Sequence, residues 1–175
     1  SPGADAGLFD AGLVDGGEPS GDAGVTLPDA GPEPQPSGIV AAVGAHHSCA
    51  VADDQLRCWG ANTHYQLGLS DTESGDRFVP VVASGTGAAA PDHLAAGEAF
   101  TCANYQGQVR CWGRNPFTGT VPEPARPWSV PVPENSGVLE MAAGRSHYCL
   151  LFSDGRVACS GSNDSGQLGR AAAPP

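Results

Sequence analysis

The amino-acid sequence predicts an all-β fold: an incomplete β-propeller of about three four-stranded antiparallel blades, preceded by a disordered tail. Three observations support this prediction. A motif with one Gly and two Cys occurs three times. The first Cys residues of successive copies are 53 and then 47 residues apart. The two Cys of a copy are 9, 9 and 10 residues apart, which suits a β-hairpin. An apolar, proline-containing stretch follows two of the copies, as expected of an edge strand.

The first segment, residues 1–37, is predicted to be a disordered acidic linker. It is rich in Gly, Ala, Pro and Asp and has too few large apolar side chains for burial to offset the entropy of ordering the backbone. It contains no Lys or Arg, and its seven carboxylates are Asp5, Asp10, Asp15, Glu18, Asp22, Asp29 and Glu33. The repeated Asp-Ala-Gly triplets mark a low-complexity tether.

The charge balance argues against a nucleic-acid partner. Of the net charge of −11, the linker carries −7, which leaves −4 for the rest of the chain, where eight Arg are scattered singly among twelve acids. Binding to nucleic acid needs clustered cations that displace counterions.

Two further features concern export. No apolar run is long enough for a membrane-spanning helix. The chain starts at Ser1 with a polar spacer directly behind it, so we expect an export signal upstream, and a lipid anchor there is compatible with such a spacer.

The first Cys pair fits opposite positions of a hairpin. If Asp53 and Asp54 form a two-residue turn, counting outward places Cys49 opposite Cys58 at a non-hydrogen-bonded pair, where side chains approach most closely. That geometry suits a disulfide.

The other two copies give the same result. The turns are Gln106-Gly107 in the second copy and the three-residue loop Ser153-Asp154-Gly155 in the third. The predicted disulfides are Cys49–Cys58, Cys102–Cys111 and Cys149–Cys159. A zinc site is disfavoured because no Cys-x-x-Cys occurs and each copy offers only two Cys. Bridges within each repeat imply an oxidising location, either extracellular or in the cell envelope.

Further apolar segments complete the blades. A short strand ending at Gly opens each copy, over Ile39–Val43, His93–Ala96 and Val138–Ala143. The fourth strands are predicted over Phe78–Val82 and Trp128–Val132, and the third copy lacks one. The repeats therefore span about residues 38–84, 91–133 and 137–170, and residues 171–175 form a tail.

The repeat resembles a known family. The pattern Gly-x-x-His-Ser/Tyr-Cys, then Cys-Trp-Gly-x-Asn, then Gln66-Leu67-Gly68 and Gly166-Gln167-Leu168-Gly169, is similar to the regulator of chromosome condensation repeats, over about residues 38–170. The Cys pair resembles the exported bacterial branch of that family. The second copy departs at Pro116–Gly119, and the third has Ser160 in place of Trp.

The resemblance implies a propeller of usually seven blades, of which this chain holds just under three. We therefore expect a fragment of a longer propeller. Assembly of several copies and an open arc with exposed edges remain as alternatives.

No residue is nominated for catalysis or metal binding, and no cofactor is expected, because no catalytic motif or phosphate loop occurs. His47 and His147 share a position that Phe100 fills in the second copy, which favours packing. Trp59 and Trp112 are interpreted as packing between blades, and the Asn after each Cys-Trp/Ser-Gly as a turn residue.

The connections after these Asn differ most between copies, and loops carry function in such scaffolds. Their aromatic and basic side chains are the candidates for partner binding: His64, Tyr65, Arg114, Phe117, Arg126 and Trp128. The predicted function is an exported, non-enzymatic scaffold that binds a protein, not yet identified, through its blade loops. The alternatives are an accessory module of a larger extracellular hydrolase, and a structural arc that self-assembles into a ring.

Overall fold

The computed structural model describes residues 40–69, 74–83, 90–122 and 126–171. The predicted linker over residues 1–37 lies outside this part of the chain, as do all residues of the 171–175 tail except Ala171. The described residues belong to one compact unit, Pro36–Pro175.

The described residues contain eleven β-strands and no helix, so none of them forms a helix able to cross a membrane. Blade 1 has β1 (Ala41–Val43), β2 (His47–Ala52), β3 (Gln55–Gly60) and β4 (Arg77–Val82). Blade 2 has β5 (His93–Ala96), β6 (Phe100–Tyr105), β7 (Gln108–Gly113) and β8 (Trp128–Val130). Blade 3 has β9 (Val138–Ala143), β10 (His147–Phe152) and β11 (Val157–Gly161).

Each blade is an antiparallel meander in chain order. Two sheets have four strands and the third has three. The all-β propeller fold is confirmed, and blade 3 has three strands among the described residues.

The central hairpins have the register that turn counting predicts. Asp53 and Asp54 both adopt positive φ (51° and 56°), the conformation of a type I′ turn. In blade 3, Gly155 takes the left-handed position of a longer loop, with φ 81°. Because the turns fix the register, the Cys of each pair stand directly opposite each other.

All three predicted disulfides are confirmed, and each lies within one hairpin. They join Cys49 to Cys58, Cys102 to Cys111 and Cys149 to Cys159, with Cα–Cα distances of 4.1, 4.0 and 4.1 Å. Such short separations are typical of non-hydrogen-bonded pairs.

The fourth strands differ slightly from the prediction. In blade 1 the strand includes Pro80, which is tolerated because β4 is the outer edge of its sheet. In blade 2 the strand ends at Val130 and not at Val132. Pro131 has no N–H to donate, so pairing stops before it.

The blades stack face to face around their first strands, since β5 packs against both β1 and β9. One apolar cluster fills the space between blades 1 and 2, and it contains both Cys of blade 1 with Leu67 and Trp112. A second cluster between blades 2 and 3 contains both Cys of blade 2 with Phe100 and Leu150. The disulfides of blades 1 and 2 thus face the following blade.

His47 lies in the first of these interfaces and is buried. Its Nε2 lies 2.8 Å from Thr101 Oγ1, and that hydroxyl donates to the Gln66 carbonyl at 2.8 Å. The Thr101 hydroxyl has one proton and donates it to the Gln66 carbonyl. The His47 imidazole must therefore donate its Nε2–H to the hydroxyl oxygen. Its Nδ1 has no hydrogen-bond partner. Burial, together with the neighbouring His46, lowers the pKa of His47 to about 4.

The Gly that follows each Trp or Ser of β3, β7 and β11 is required by its surroundings. Gly113 has φ 94°, and a Cβ there would lie 2.4 Å from the Ala99 carbonyl oxygen. Gly107, in the β6–β7 turn, has a similar φ of 88°, but a Cβ there would meet nothing within 4 Å.

We therefore expect Gly113→Ala to destabilise the fold more than Gly107→Ala. Both variants carry the strain of a positive φ, about 1–2 kcal/mol, but only Gly113→Ala adds a clash with backbone, which we expect to cost roughly 2 kcal/mol more. Urea unfolding of both variants measures the difference. Equal midpoints would contradict the close approach at Gly113.

A second prediction concerns how the stability of the fold depends on pH. Between pH 6.5 and about 4 the unfolded chain binds a proton that neutral His47 in the folded state does not. The contribution of His47 to stability is therefore complete above pH 6.5 and is lost as the pH falls toward 4. We expect wild type to lose on the order of 2–3 kcal/mol more than His47→Phe between pH 7 and pH 4.

The control for this measurement is Leu56→Ala, which weakens the same interface between blades 1 and 2 without removing a titratable group. It should keep the pH dependence of the wild type in urea unfolding. An identical acid loss in wild type and His47→Phe would contradict the burial of a neutral imidazole.

Candidate functional site

Strand order decides which connections meet. Because neighbouring strands are antiparallel, the loops after β1, β5 and β9 and the connections after β3, β7 and β11 all lie at one end of the sheets. We call this end the loop face: residues 44–46, 61–69, 74–76, 97–99, 114–122, 126–127, 144–146 and 162–170. The statements below concern its described residues.

The loop face is tied together near the first strands. The backbone N–H of Ala45 donates to the Gly97 carbonyl at 3.3 Å, and that of Glu98 donates to the Arg145 carbonyl at 2.9 Å. The Arg145 guanidinium also donates to the Glu98 carboxylate at 2.7 Å. Ala45, Glu98 and Arg145 occupy the same repeat position, so one position supplies three different side chains to the centre of this face.

A cluster of charged side chains surrounds this ion pair. Arg114 is hydrogen-bonded to His64 Nε2. Burial lowers the pKa of His64, and the positive charge of Arg114 lowers it further, while Glu98 opposes the shift. The hydrogen bond from Arg145 lowers the pKa of Glu98. We call His64, Glu98, Arg114 and Arg145 the charged cluster; it contains two guanidinium groups, one carboxylate and an imidazole whose lowered pKa favours the neutral form. The Arg145 side chain is 80% exposed.

The connection after β3 forms a compact loop that couples two blades. The Asn62 side chain accepts from the Leu67 N–H at 3.0 Å, and the Gln66 side chain accepts from the His64 N–H at 2.9 Å. The Gln66 carbonyl then accepts from the Trp112 indole of blade 2 at 2.9 Å. Trp112 is buried between blades as predicted, and Asn62 has the predicted turn role.

The connection after β7 has a different form. Here the Asn115 side chain accepts from the Phe117 N–H at 2.8 Å, and no Gln-Leu-Gly follows. Phe117 projects into solvent and is 73% exposed.

The structure brings some of the predicted partner-binding residues together. His64 and Arg114 are in contact, and Tyr65 and Phe117 lie in the loop-face connections of blades 1 and 2. Arg126 is exposed near the end of the second connection. Trp128 differs, because it begins β8 and packs against the apolar cluster between blades 2 and 3.

Sequence reasoning missed Glu98 and Arg145. The available signal was their place in the repeat, since they stand directly after an invariant Gly at a position where the three copies share no side chain. The contact between them joins two blades, and the repeat pattern contains no information about such a contact.

The loop face is shallow near the first strands. A groove of about 450 Å³ is lined there by three short runs, Val43–Ala45, Ala96–Glu98 and Ala143–Arg145. The described residues contain no group of three His, Cys, Asp or Glu side chains arranged to hold a metal ion. Exposed charges around a shallow, partly apolar groove suit contact with another macromolecule.

Two matches to protein-family models agree with this architecture. Regulator of chromosome condensation repeat models match residues 53–103 and 138–167. The chain belongs to the regulator of chromosome condensation repeat family. The matched ranges leave out the connection at 114–127, where blade 2 departs from the pattern.

Curated relatives match most of this chain. The chain is 34% identical over 150 residues to the human probable E3 ubiquitin-protein ligase HERC6. The aligned region covers 78% of this chain and 14% of that protein. It is 31% identical to the ultraviolet-B receptor UVR8 of Arabidopsis thaliana (73% and 30% covered) and 32% identical to the regulator of chromosome condensation of Xenopus laevis (74% and 32% covered). The chain thus spans a third or less of these relatives.

Solved structures show the same fold. Yeast Prp20p, whose binding to Gsp1p and histones has been described, superposes with a TM-score of 0.61 at 24% identity, covering 76% of this chain and 34% of that one. Human WBSCR16 gives a TM-score of 0.57 at 20% identity, covering 70% and 33%. These likenesses show a propeller fold of the regulator of chromosome condensation type.

Proposed function

We propose that this chain is a non-enzymatic scaffold that binds a protein through its loop face. The observation that carries the proposal is the contrast between a uniform framework and a variable face. In all three disulfide-bridged hairpins the two Cys stand opposite each other, while the loop face presents different side chains from each blade. Side chains that differ between repeats provide recognition without altering the fold.

Two side chains are proposed as anchors of the interface. Phe117 exposes a whole aromatic ring, and Arg145 exposes a guanidinium held in place by Glu98. Aromatic and Arg side chains dominate the energetics of protein interfaces. The excess of basic groups in the charged cluster favours a partner that presents carboxylates. Prp20p binds Gsp1p and histones, which supports a protein partner for a propeller of this type. It does not identify the partner of this chain.

We also propose that the protein is exported. The chain has three disulfides. Disulfides persist in oxidising compartments and are rare in reducing ones. The accessory-module alternative remains a prediction, and the small share of the curated relatives that the chain spans is compatible with it.

The binding proposal is tested with Phe117→Ala combined with Arg145→Gln. Both side chains lie on the surface, so the variant should fold, and loss of two anchors should lower partner affinity at least about tenfold. The protein serves as bait on beads, and each partner recovered from cell-envelope and secreted fractions is titrated against wild type and variant.

The matched control for binding is Gln106→Ala combined with Arg110→Gln, which alters the exposed turn of the blade 2 hairpin and a half-buried side chain of β7, away from the first-strand end of the loop face. The control should bind like wild type. A partner that loses affinity for the control, or binds the loop-face variant as tightly as wild type, would sink the proposal.

The location is tested separately. Cells producing the native protein are quenched with acid and alkylated before reduction, so that free thiols are labelled first. We expect all six Cys to escape this first label, because each is in a disulfide. Recovery of labelled Cys102 or Cys111 in most of the native protein would contradict export.

A further inference from the structure

Tyr65 adopts a backbone conformation that is unfavourable for its residue type. It lies in the connection after β3, and its φ of 60° places it in the left-handed region. In that region the Cβ atom comes too close to the following carbonyl oxygen, so bulky residues are rarely found there. Strained residues of this kind are concentrated at functional sites, where the surrounding structure holds them in place. The presence of a Tyr at this position therefore needs an explanation.

Blade 3 shows that the loop does not need this side chain. Gly166 occupies the position of Tyr65 in the repeat, with a φ of 75°. The Tyr65 N–H donates to the Asn62 carbonyl at 3.0 Å, and the Gly166 N–H donates to the Asn163 carbonyl at 3.0 Å. A Cβ at Gly166 would meet nothing within 4 Å, so no neighbouring group fills this position. Gly forms the same turn without strain, which leaves the side chain itself as the reason for a Tyr in blade 1.

The residue before Tyr65 positions an Arg of the next blade. His64 Nδ1 lies 3.1 Å from Thr63 Oγ1, and Arg114 is hydrogen-bonded to His64 Nε2. A guanidinium can only donate, so Nε2 accepts and the imidazole carries its proton on Nδ1. The imidazole is then neutral, in agreement with a pKa of His64 that burial and the charge of Arg114 lower. The two hydrogen bonds hold the imidazole ring in place, and the ring holds the guanidinium.

Arg114 has no counter-ion in the described part of the chain. Its side chain is half-buried, and the ion pairs among the described residues involve other Arg. Glu98 is paired with Arg145. A half-buried charge without a partner of opposite sign is unfavourable. A planar guanidinium matches a carboxylate through two parallel hydrogen bonds, and the bond to a neutral imidazole leaves N–H groups of Arg114 for such a pair.

We propose that Arg114 and Tyr65 form a receptor for an Asp or Glu side chain of the protein that binds the loop face. The guanidinium holds the carboxylate in a bidentate pair, and the ring of Tyr65 contacts the apolar atoms beside it. Aromatic and Arg side chains dominate the energetics of protein interfaces. The receptor lies in the connections after β3 and β7, both in blades that the structure describes. This inference rests on the proposed function and adds the chemical group that the partner presents.

The direct test is an NMR titration of the full chain with a peptide probe. Tri-glutamate with blocked ends is added while the Nε–H of Arg114 and the backbone N–H of Tyr65 are observed. Tri-glutamine with blocked ends is the neutral probe of similar shape. We expect tri-glutamate to shift both signals with a dissociation constant of about 1 mM, and tri-glutamine to bind at least about tenfold more weakly. No shift with tri-glutamate up to about 10 mM would overturn the proposal.

Variants separate the contributions of the two residues. Arg114→Gln keeps a donor for His64 but removes the positive charge, and it should weaken tri-glutamate binding at least about tenfold. Arg110→Gln makes the same change on β7, outside the loop face, and should bind like wild type. Tyr65→Gly removes the ring and should weaken binding roughly fivefold, whereas Tyr65→Phe should retain it. Unchanged binding by Arg114→Gln or by Tyr65→Gly would contradict the receptor.

The strain at Tyr65 is tested by thermal unfolding. Tyr65→Ala and Tyr65→Gly both remove the ring, but only Gly relieves the positive φ. We expect the Gly variant to unfold about 3 °C above the Ala variant. Gly166→Ala is the matched change in blade 3, and it should unfold about 3 °C below wild type because it introduces the same strain. A Gly variant that unfolds no higher than the Ala variant would remove the argument for the Tyr65 side chain.

Failure of this inference and failure of the proposed function give different results, because the peptide titration involves neither Phe117 nor Arg145. If tri-glutamate binds as expected but the variant Phe117→Ala with Arg145→Gln keeps its partner, the proposed function fails while the carboxylate receptor is retained. If that variant loses its partner but tri-glutamate and tri-glutamine bind alike, the receptor is wrong and the proposed function is retained.

Discussion

The structure depends on one constraint: both faces of each central hairpin are apolar, so a blade needs a neighbour on each side. The disulfide, Leu56 and Leu67 of blade 1 face blade 2, and Trp112 of blade 2 faces back. Burial of about 100 Å² of apolar surface is worth roughly 2.5 kcal/mol, which makes stacking of faces the main source of stability. The hydrogen bond from Trp112 to the Gln66 carbonyl then fixes how the two sheets align.

The fold could be predicted from local information that the sequence repeats. Turn residues such as Asp53 and Asp54 fix a two-residue loop, and counting from it places each Cys opposite its partner. The Pro residues mark the outer strands because their missing N–H excludes them from central positions. The predicted end of β8, Val132, lies two residues beyond the observed end at Val130, because Pro131 has no N–H and stops the pairing.

The site was predictable only in part. Connections that vary between copies pointed to His64, Arg114 and Phe117, and these lie on the loop face. The ion pair of Glu98 with Arg145 joins residues 47 apart in different blades. Its existence depends on how two sheets are rotated about their common axis, which no periodicity encodes. Trp128 differs from these, since this aromatic next to a variable loop is partly buried and packs against the apolar cluster between blades 2 and 3.

Local and long-range stabilisation have separate roles in this chain. A bridge across nine or ten residues constrains only its own hairpin, and in the chain-entropy model contributes about 2–3 kcal/mol whether or not a neighbour is present. In repeat proteins the remaining stability comes from interfaces between neighbours. Among the described residues, blade 3 has one such interface, with blade 2, and Val157 on its hairpin is exposed. The hairpin of this blade holds its register because the Cys149–Cys159 bridge lies within the hairpin and does not depend on a neighbouring blade.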